Sequence, residues 1–145
     1  MIPHRVFGQR EDVPYLRREG VYLIPHRGDL AAVIRTPKGL FLLGGGLEPG
    51  ESPEDCLIRE CREESGHLPL IGERICSAET FAVHPTLGYF HPVQTYYAGD
   101  LAQKVCPPTE GDHTLLWVEY SILKGTLFSP MQNWALDEAF KTPGR

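Results

Sequence analysis

The stretch that decides the fold is GGLEPGESPEDCLIRECREESGH, residues Gly45 to His67. Its first part is a loop, and its second part carries the signals of a helix. Ser52 can accept a hydrogen bond from a free backbone N–H at a helix start, and Pro53 suits the first helical position. Gly66 is a preferred residue just past a helix end. The sequence therefore predicts a helix from Pro53 to Ser65.

Three carboxylates share one side of this predicted helix. At about 100° per residue, with Glu60 at zero, Glu64 lies at about +40° and Glu63 at about −60°. The expected core face lies beside them, so that the carboxylates fall at its edge, and it comprises Leu57, Ile58 and Cys61. Clustered carboxylate oxygens are what hard divalent ions such as Mg²⁺ or Mn²⁺ require. The pattern indicates a cation site used in phosphate chemistry, and a solvated acidic face is its alternative.

Short apolar runs on both sides of the segment predict β-strands. The predicted strands are Val21–Ile24, Leu30–Arg35, Leu40–Leu43, two or three around Arg74–Phe81 and Gln94–Asp100, and Thr114–Tyr120. The strand at Leu40–Leu43 is expected to stop at Gly44, and a stretch with His91 and Pro92 is expected between two later strands. Ser129 and Pro130 open a second helix that runs through about residue 140. Mixed strands with two separated helices predict an α/β fold whose sheet is covered on both faces.

A specific resemblance rests on the charged and glycine positions of the first segment. Five residues separate Gly45 from Glu51, and seven separate Glu51 from Arg59. The segment resembles the Nudix box, G-x5-E-x7-R-E-U-x-E-E-x-G-U with U a bulky apolar residue. Every required Gly, Glu and Arg is present, and Cys61 and His67 stand at two of the U positions. The resemblance implies the Nudix fold, an α/β/α sandwich with a mixed β-sheet.

The resemblance also implies a metal site. Glu60 and Glu64 would be the principal ligands of Mg²⁺ or Mn²⁺, with Glu63 as a further ligand. The carbonyl oxygen of Gly45 or of Gly44 would complete the protein's contribution. In the family, this site holds one to several divalent ions against a bound diphosphate.

Catalytic roles follow from the same resemblance. Glu60 is the first choice for the general base, and a loop carboxylate outside the box is the second. Arg59 is expected to orient carboxylates, and Glu51 to support the loop. Glu110 and Asp112 lie where related enzymes often place an additional acidic ligand, although a solvated loop charge is the favoured interpretation for each.

Composition limits the classes of partner. Fourteen Lys and Arg residues against nineteen Asp and Glu residues give a net charge of −5, which argues against a broad nucleic-acid footprint. The opening residues lack the apolar stretch of a secretory signal, and no run approaches a membrane span. Four cysteines without a Cys-x-x-Cys pair favour reduced thiols. We expect one domain, residues 1–145, in the cytoplasm, with a homodimer left open.

The implied reaction is hydrolysis of a phosphoanhydride bond in a nucleoside diphosphate linked to another group. A nucleoside triphosphate, including a damaged one, leads as the substrate because the chain is short and lacks accessory motifs. A nucleoside diphosphate sugar and a dinucleoside polyphosphate are the alternatives. A nucleotide sensor that lost hydrolysis is the rival from a different class. The intact carboxylates of the box favour an enzyme with a nucleotide-derived small-molecule partner.

Overall fold

A computed structural model describes residues 1–109 and 111–141 of the chain. Within these residues the chain forms nine strands and three helices. The strands are β1 (His4–Phe7), β2 (Leu16–Arg27), β3 (Leu30–Thr36), β4 (Gly39–Phe41), β5 (Leu43–Gly46), β6 (His67–Thr80), β7 (Ala82–His84), β8 (Gly88–Lys104) and β9 (Thr114–Glu119). The helices are α1 (Pro53–Ser65), α2 (Tyr120–Leu123) and α3 (Pro130–Lys141). None of the described helices is long and apolar enough to cross a bilayer.

The strands form one mixed sheet with the central order β1-β6-β8-β2-β3-β4. Strand β5 pairs with β2, β7 with β8, and β9 with β3. The pairs β1–β6 and β2–β8 are parallel, whereas the other pairs are antiparallel. The long strand β8 is therefore held on both sides, by β2 and by β6.

Alternate residues of β3 enter two hydrophobic cores on opposite faces of the sheet. Ala31 and Val33 belong to the core that contains the apolar residues of α3. Ala32 and Ile34 belong to the core that contains the apolar residues of α1. This division follows from the two-residue period of a strand. A sheet buried under a helix on each face confirms the expected α/β/α architecture.

The glycine-rich stretch before α1 is part of the sheet. The expectation that a strand at Leu40–Leu43 would stop at Gly44 is wrong, because β4 ends before Leu42 and β5 then includes all three glycines. A Cβ atom on Gly44, whose φ is +142°, would lie 2.2 Å from the carbonyl oxygen of Val21. The backbone of β5 thus approaches β2 more closely than a side chain would permit, which is a specific use of glycine in a strand.

Other boundaries also differ from the sequence prediction. His91 and Pro92 lie inside β8 and not between two strands, since Pro92 takes a register position opposite Arg18 of β2. Tyr120 begins α2 instead of ending β9. Pairing along neighbouring strands decides these boundaries, and it overrides the local turn signals. Strand β1 escapes prediction because its residues are largely exposed and form no apolar run.

Candidate active site

Helix α1 begins and ends where the sequence predicts. The Ser52 hydroxyl accepts a hydrogen bond of 3.1 Å from the backbone N–H of Asp55. Pro53 occupies the first turn, where its missing N–H costs no hydrogen bond. At the other end Gly66 adopts φ 76°, and its N–H bonds to the carbonyl of Arg62 over 2.9 Å. These caps fix the length of the helix and hence the position of its carboxylates.

The buried face of α1 includes two of the predicted site carboxylates. Cys56, at about −40° from Glu60, and Cys61, at about +100°, are both fully buried. Glu60 and Glu64 lie within that arc and are partly buried. The expected core residue Ile58, at about +160°, is 38% exposed, so its assignment to the core face is wrong. The two carboxylates therefore lie on the buried face of α1 and point at β5. They do not lie at the edge of a core face formed by Leu57, Ile58 and Cys61.

The glycines of β5 contact both carboxylates. The backbone N–H of Gly44 donates a hydrogen bond of 2.9 Å to Oε1 of Glu64. A Cβ atom placed on Gly45 would lie 2.3 Å from Oε2 of Glu60, so the lack of a side chain there gives Glu60 its place. Helix and strand together hold two carboxylates against one glycine backbone.

Arg59 connects the carboxylates of the box. Its Nε and Nη2 atoms donate to the two carboxylate oxygens of Glu51, over 2.8 and 2.9 Å. Its Nη1 donates to Oε1 of Glu60 over 2.5 Å and lies 3.6 Å from Oε2 of Glu63. Nη2 also reaches the carbonyl of Gly46. One guanidinium thus ties the loop, the strand and the helix together, as its planar fork of donors allows.

These contacts shift the acidity of their partners. The hydrogen bonds from Arg59 lower the pKa of Glu51 to about 2, with help from the backbone N–H of Glu48. The pKa of Arg59 is raised in turn by its hydrogen bonds to Glu51 and Glu60, which outweigh the effect of burial. Burial raises the pKa of Glu60, the Arg59 contact opposes that change, and the charge of Glu63 adds to it. The loop carboxylate is thereby held ionised, while burial acts against ionisation of the helix carboxylate.

The donor chemistry of this site fits a hard divalent ion. Mg²⁺ usually takes one or two protein carboxylates and completes its shell with water and substrate phosphate. Glu60 and Glu64 supply such a pair, held against the backbone of Gly45 and Gly44. Within residues 1–109 and 111–141, no three Asp, Glu, His or Cys side chains converge on one point. The carboxylate pair therefore fits an ion that takes its other ligands from water and phosphate.

A cavity of about 450 Å³ opens beside Glu64 and Gly44. Its polar lining residues are Thr36, Lys38, Asp112 and His113, and its apolar ones include Tyr22, Ile34, Phe41 and Leu42. The pKa of Tyr22 is raised by burial and also by the negative charges of Glu64 and Glu60. Glu64 therefore belongs both to the carboxylate pair and to the wall of the cavity.

Glu110 and Asp112 are the two possible additional acidic ligands that follow the box. Asp112 lies at this cavity, with its side chain 62% exposed, and its Oδ1 is bonded to Nδ1 of His113 over 2.8 Å. Glu110 lies outside the described residues. Sequence reasoning missed Lys38, Thr36 and His113 as site residues. In the sequence, Thr36 and Lys38 showed only a turn signal. His113 reaches the same cavity through the long-range pairing of β3 with β9, which local signals do not predict.

Comparison with known families gives one match over most of the chain. A model of the NUDIX domain matches residues 12–136. Nucleoside triphosphatase NudI of Escherichia coli O1:K1 is 42% identical over 60 residues. That alignment covers 41% of this chain and 41% of the relative, so the chain matches less than half the length of NudI.

Solved structures show the same fold. The solution structure of the E. coli ORF135 protein has a TM-score of 0.68 at 21% identity, covering 90% of this chain and 96% of that one. A NUDIX hydrolase from Nitrosomonas europaea has a TM-score of 0.65 at 17% identity, covering 86% and 88%. At these identities the likeness concerns the fold.

Proposed function

The chain belongs to the NUDIX domain family, and on this premise we propose that it hydrolyses a phosphoanhydride bond of a nucleoside triphosphate with the aid of Mg²⁺ or Mn²⁺. One observation carries the proposal. Two carboxylates, Glu60 and Glu64, are held against the backbone of Gly44 and Gly45, and Glu64 also lines a cavity. This arrangement supplies oxygen ligands where a phosphate group could meet them.

The residues that would hold the ion are Glu60 and Glu64, with Glu63 as a further ligand and the carbonyl of Gly45 as a backbone ligand. When bound, the ion would supply charge neutralisation on the phosphate oxygens. Glu63 is more exposed than Glu60, with 39% of its side chain accessible against 17%. We therefore expect Glu63 to complete the site when substrate arrives, and Glu60 to be in place before that.

Glu60 would act as the general base. It takes a proton from a water molecule as the water oxygen bonds to phosphorus, and the bridging P–O bond breaks with its electron pair on the departing phosphate. Arg59 positions this carboxylate through its contact with Oε1, and Glu51 fixes Arg59 from the other side. Neither Arg59 nor Glu51 needs to touch the substrate in this scheme.

A nucleoside triphosphate is the proposed substrate because a segment of 60 residues is 42% identical to the nucleoside triphosphatase NudI. The matched 60 residues are too few to transfer that activity directly. Phosphate or diphosphate, together with the shortened nucleotide, would be the products.

A substrate panel tests the proposal. The full chain is incubated with Mg²⁺ or Mn²⁺ and with nucleoside triphosphates, nucleoside diphosphate sugars and dinucleoside polyphosphates, and products are identified by ³¹P NMR. We expect the highest kcat/KM on a triphosphate and no turnover after chelation. A preference for a diphosphate sugar or a dinucleotide would overturn the substrate assignment. Binding without turnover of any compound would indicate a nucleotide sensor and overturn the enzymatic proposal.

A further inference from the structure

We propose that the cavity beside Glu64 binds the nucleobase of the substrate and that Asp112, together with Lys38, reads the edge of that base. The inference rests on the proposed function, since it assigns the nucleotide a definite direction across the site. It also gives Asp112 a role as a specificity-determining residue and not as a metal ligand.

The position of the cavity sets that direction. Glu64 and Gly44, which are hydrogen-bonded to each other, form part of its wall. A phosphate group bound at the carboxylates therefore leaves the rest of the nucleotide adjacent to this space. At about 450 Å³, the cavity lies within the usual size range of small-molecule sites.

The lining suits a flat, partly apolar group. Phe41 and Tyr22 contribute aromatic surface, and Thr36, Lys38, Asp112 and His113 contribute polar groups. Ligand sites commonly combine such walls with a small number of polar side chains that fix orientation. The Tyr22 ring is itself held by a stacked contact with Tyr96, at 5.8 Å between centroids. A nucleobase, which is flat and carries donors and acceptors on one edge, matches this combination of aromatic and polar lining.

Asp112 is oriented by its neighbour. Because a carboxylate accepts, the 2.8 Å contact requires Nδ1 of His113 to carry the hydrogen and to donate it to Oδ1 of Asp112. The second carboxylate oxygen has no hydrogen-bond partner in the described part of the chain, so it can accept an N–H from a base. The side chain of Asp112 is 62% exposed, which leaves it accessible to a ligand that enters the cavity.

Lys38 supplies the complementary donor. It lies at the turn between β3 and β4 and lines the same cavity. Its ammonium group has no hydrogen-bond or ion-pair partner among residues 1–109 and 111–141, so it is available to donate to a ring nitrogen or carbonyl oxygen. Every nucleobase presents hydrogen-bond donors and acceptors on one edge, and their positions differ among the bases. Asp112 as an acceptor and Lys38 as a donor can therefore favour one base over another.

The experiment compares bases in two single variants, Asp112→Asn and Lys38→Ala. For each, kcat/KM is measured on the triphosphates of adenine, guanine, cytosine and uracil, and Asp29→Asn and Lys124→Ala serve as matched controls at exposed positions outside the cavity. We expect Asp112→Asn to lower kcat/KM for the preferred base by about tenfold or more, through KM, while the least preferred base changes little. A readout independent of turnover is the affinity for the corresponding nucleoside monophosphates, followed by NMR shifts at residues 36–41 and 112–113.

The outcomes separate a base-reading role from metal ligation. If Asp112 were a metal ligand, Asp112→Asn would lower kcat equally for all four bases and would weaken Mn²⁺ binding in the absence of nucleotide. Either that pattern or an unchanged base preference in both variants would overturn the inference. If the wild-type chain hydrolyses none of the triphosphates, the proposed function fails, yet the monophosphate titration still tests the base site separately.

Discussion

The carboxylate of Glu64 accepts a hydrogen bond from the backbone N–H of Gly44, with 2.9 Å between the two atoms. This contact crosses from the helix to the glycine strand and orients the carboxylate toward the cavity. It depends on the capacity of the side chain to accept a hydrogen bond, which is distinct from the negative charge of the carboxylate. The two properties can be separated by mutation.

Glu64→Gln removes the charge but keeps an amide oxygen that can accept from Gly44. We expect the variant to fold with a nearly unchanged melting temperature and to bind Mn²⁺ about tenfold or more weakly, as the loss of one carboxylate ligand implies. Titration followed by electron paramagnetic resonance measures this affinity without substrate. Glu54→Gln, an exposed position in the first turn of the same helix, is the control and should bind Mn²⁺ as the wild type does. Equal Mn²⁺ affinity in wild type and Glu64→Gln would remove Glu64 from the ligand set.

Gly45→Ala tests the close approach of strand and helix. The new methyl group would meet Oε2 of Glu60 at 2.3 Å, and because that atom ends a flexible side chain, the carboxylate should move while the backbone stays in place. We expect kcat to fall at least tenfold with a loss of stability of about 1 kcal/mol. In Gly46→Ala the nearest atom would lie 3.8 Å away, so this neighbouring variant should keep its activity. Equal kcat values for the two variants would contradict the assigned position of Glu60.

Arg59→Lys tests the fork of donors. A lysine keeps the positive charge but cannot bond both oxygens of Glu51 and reach Glu60 as well. Because we propose that Arg59 orients carboxylates without touching substrate, kcat should fall about tenfold to a hundredfold with little change in KM. Arg62→Lys, at an exposed position on α1, should retain wild-type kinetics. A rise in KM alone for Arg59→Lys would show that the guanidinium binds substrate.

A pH-dependent contribution to stability comes from Glu79, at the far side of the sheet. His4 and His91 bond to its two oxygens over 2.7 and 2.9 Å. Burial acts to raise the pKa of Glu79, but the two imidazoles outweigh it and the pKa is lowered from 4.5. A lowered carboxylate pKa contributes stability that is present above the unfolded value and is lost as the pH falls through the folded value.

The corresponding variant is Glu79→Gln. Its melting temperature should lie below that of the wild type at about pH 6, and the gap should narrow as the pH is lowered through about 4.5 toward 3. Calorimetric scans across this range measure the gap, with Glu119→Gln as an exposed control. A gap that stays constant or widens on acidification would contradict the lowered pKa.

Local signals in the sequence were sufficient to predict the helix and the charged constellation. Ser52, Pro53 and Gly66 define α1 through backbone chemistry that depends on few distant contacts. The spacing of Glu60 and Glu64 follows from helical geometry alone. These features were predictable because each is determined within a few residues of the chain.

Features that depend on pairing between distant segments were not predictable in the same way. The glycines of β5 look like a turn, and their place in the sheet depends on β2. Ile58 is apolar, yet the contact of α1 with β5 rotates the buried face toward Glu60 and leaves Ile58 exposed. The cavity is lined by residues of β2, β3, β4, β5 and α1 and of the segment before β9, so no single motif predicts Lys38 or His113 as lining residues.

The most direct test of the central claim is the rate of triphosphate hydrolysis by wild type and Glu64→Gln, measured side by side by ³¹P NMR with saturating Mg²⁺ and then with Mn²⁺. We predict that the wild type releases phosphate or diphosphate in a metal-dependent reaction and that Glu64→Gln, although folded, turns over at least a hundredfold more slowly. Equal rates in the two proteins, or hydrolysis that persists after the metal is chelated, would contradict the account.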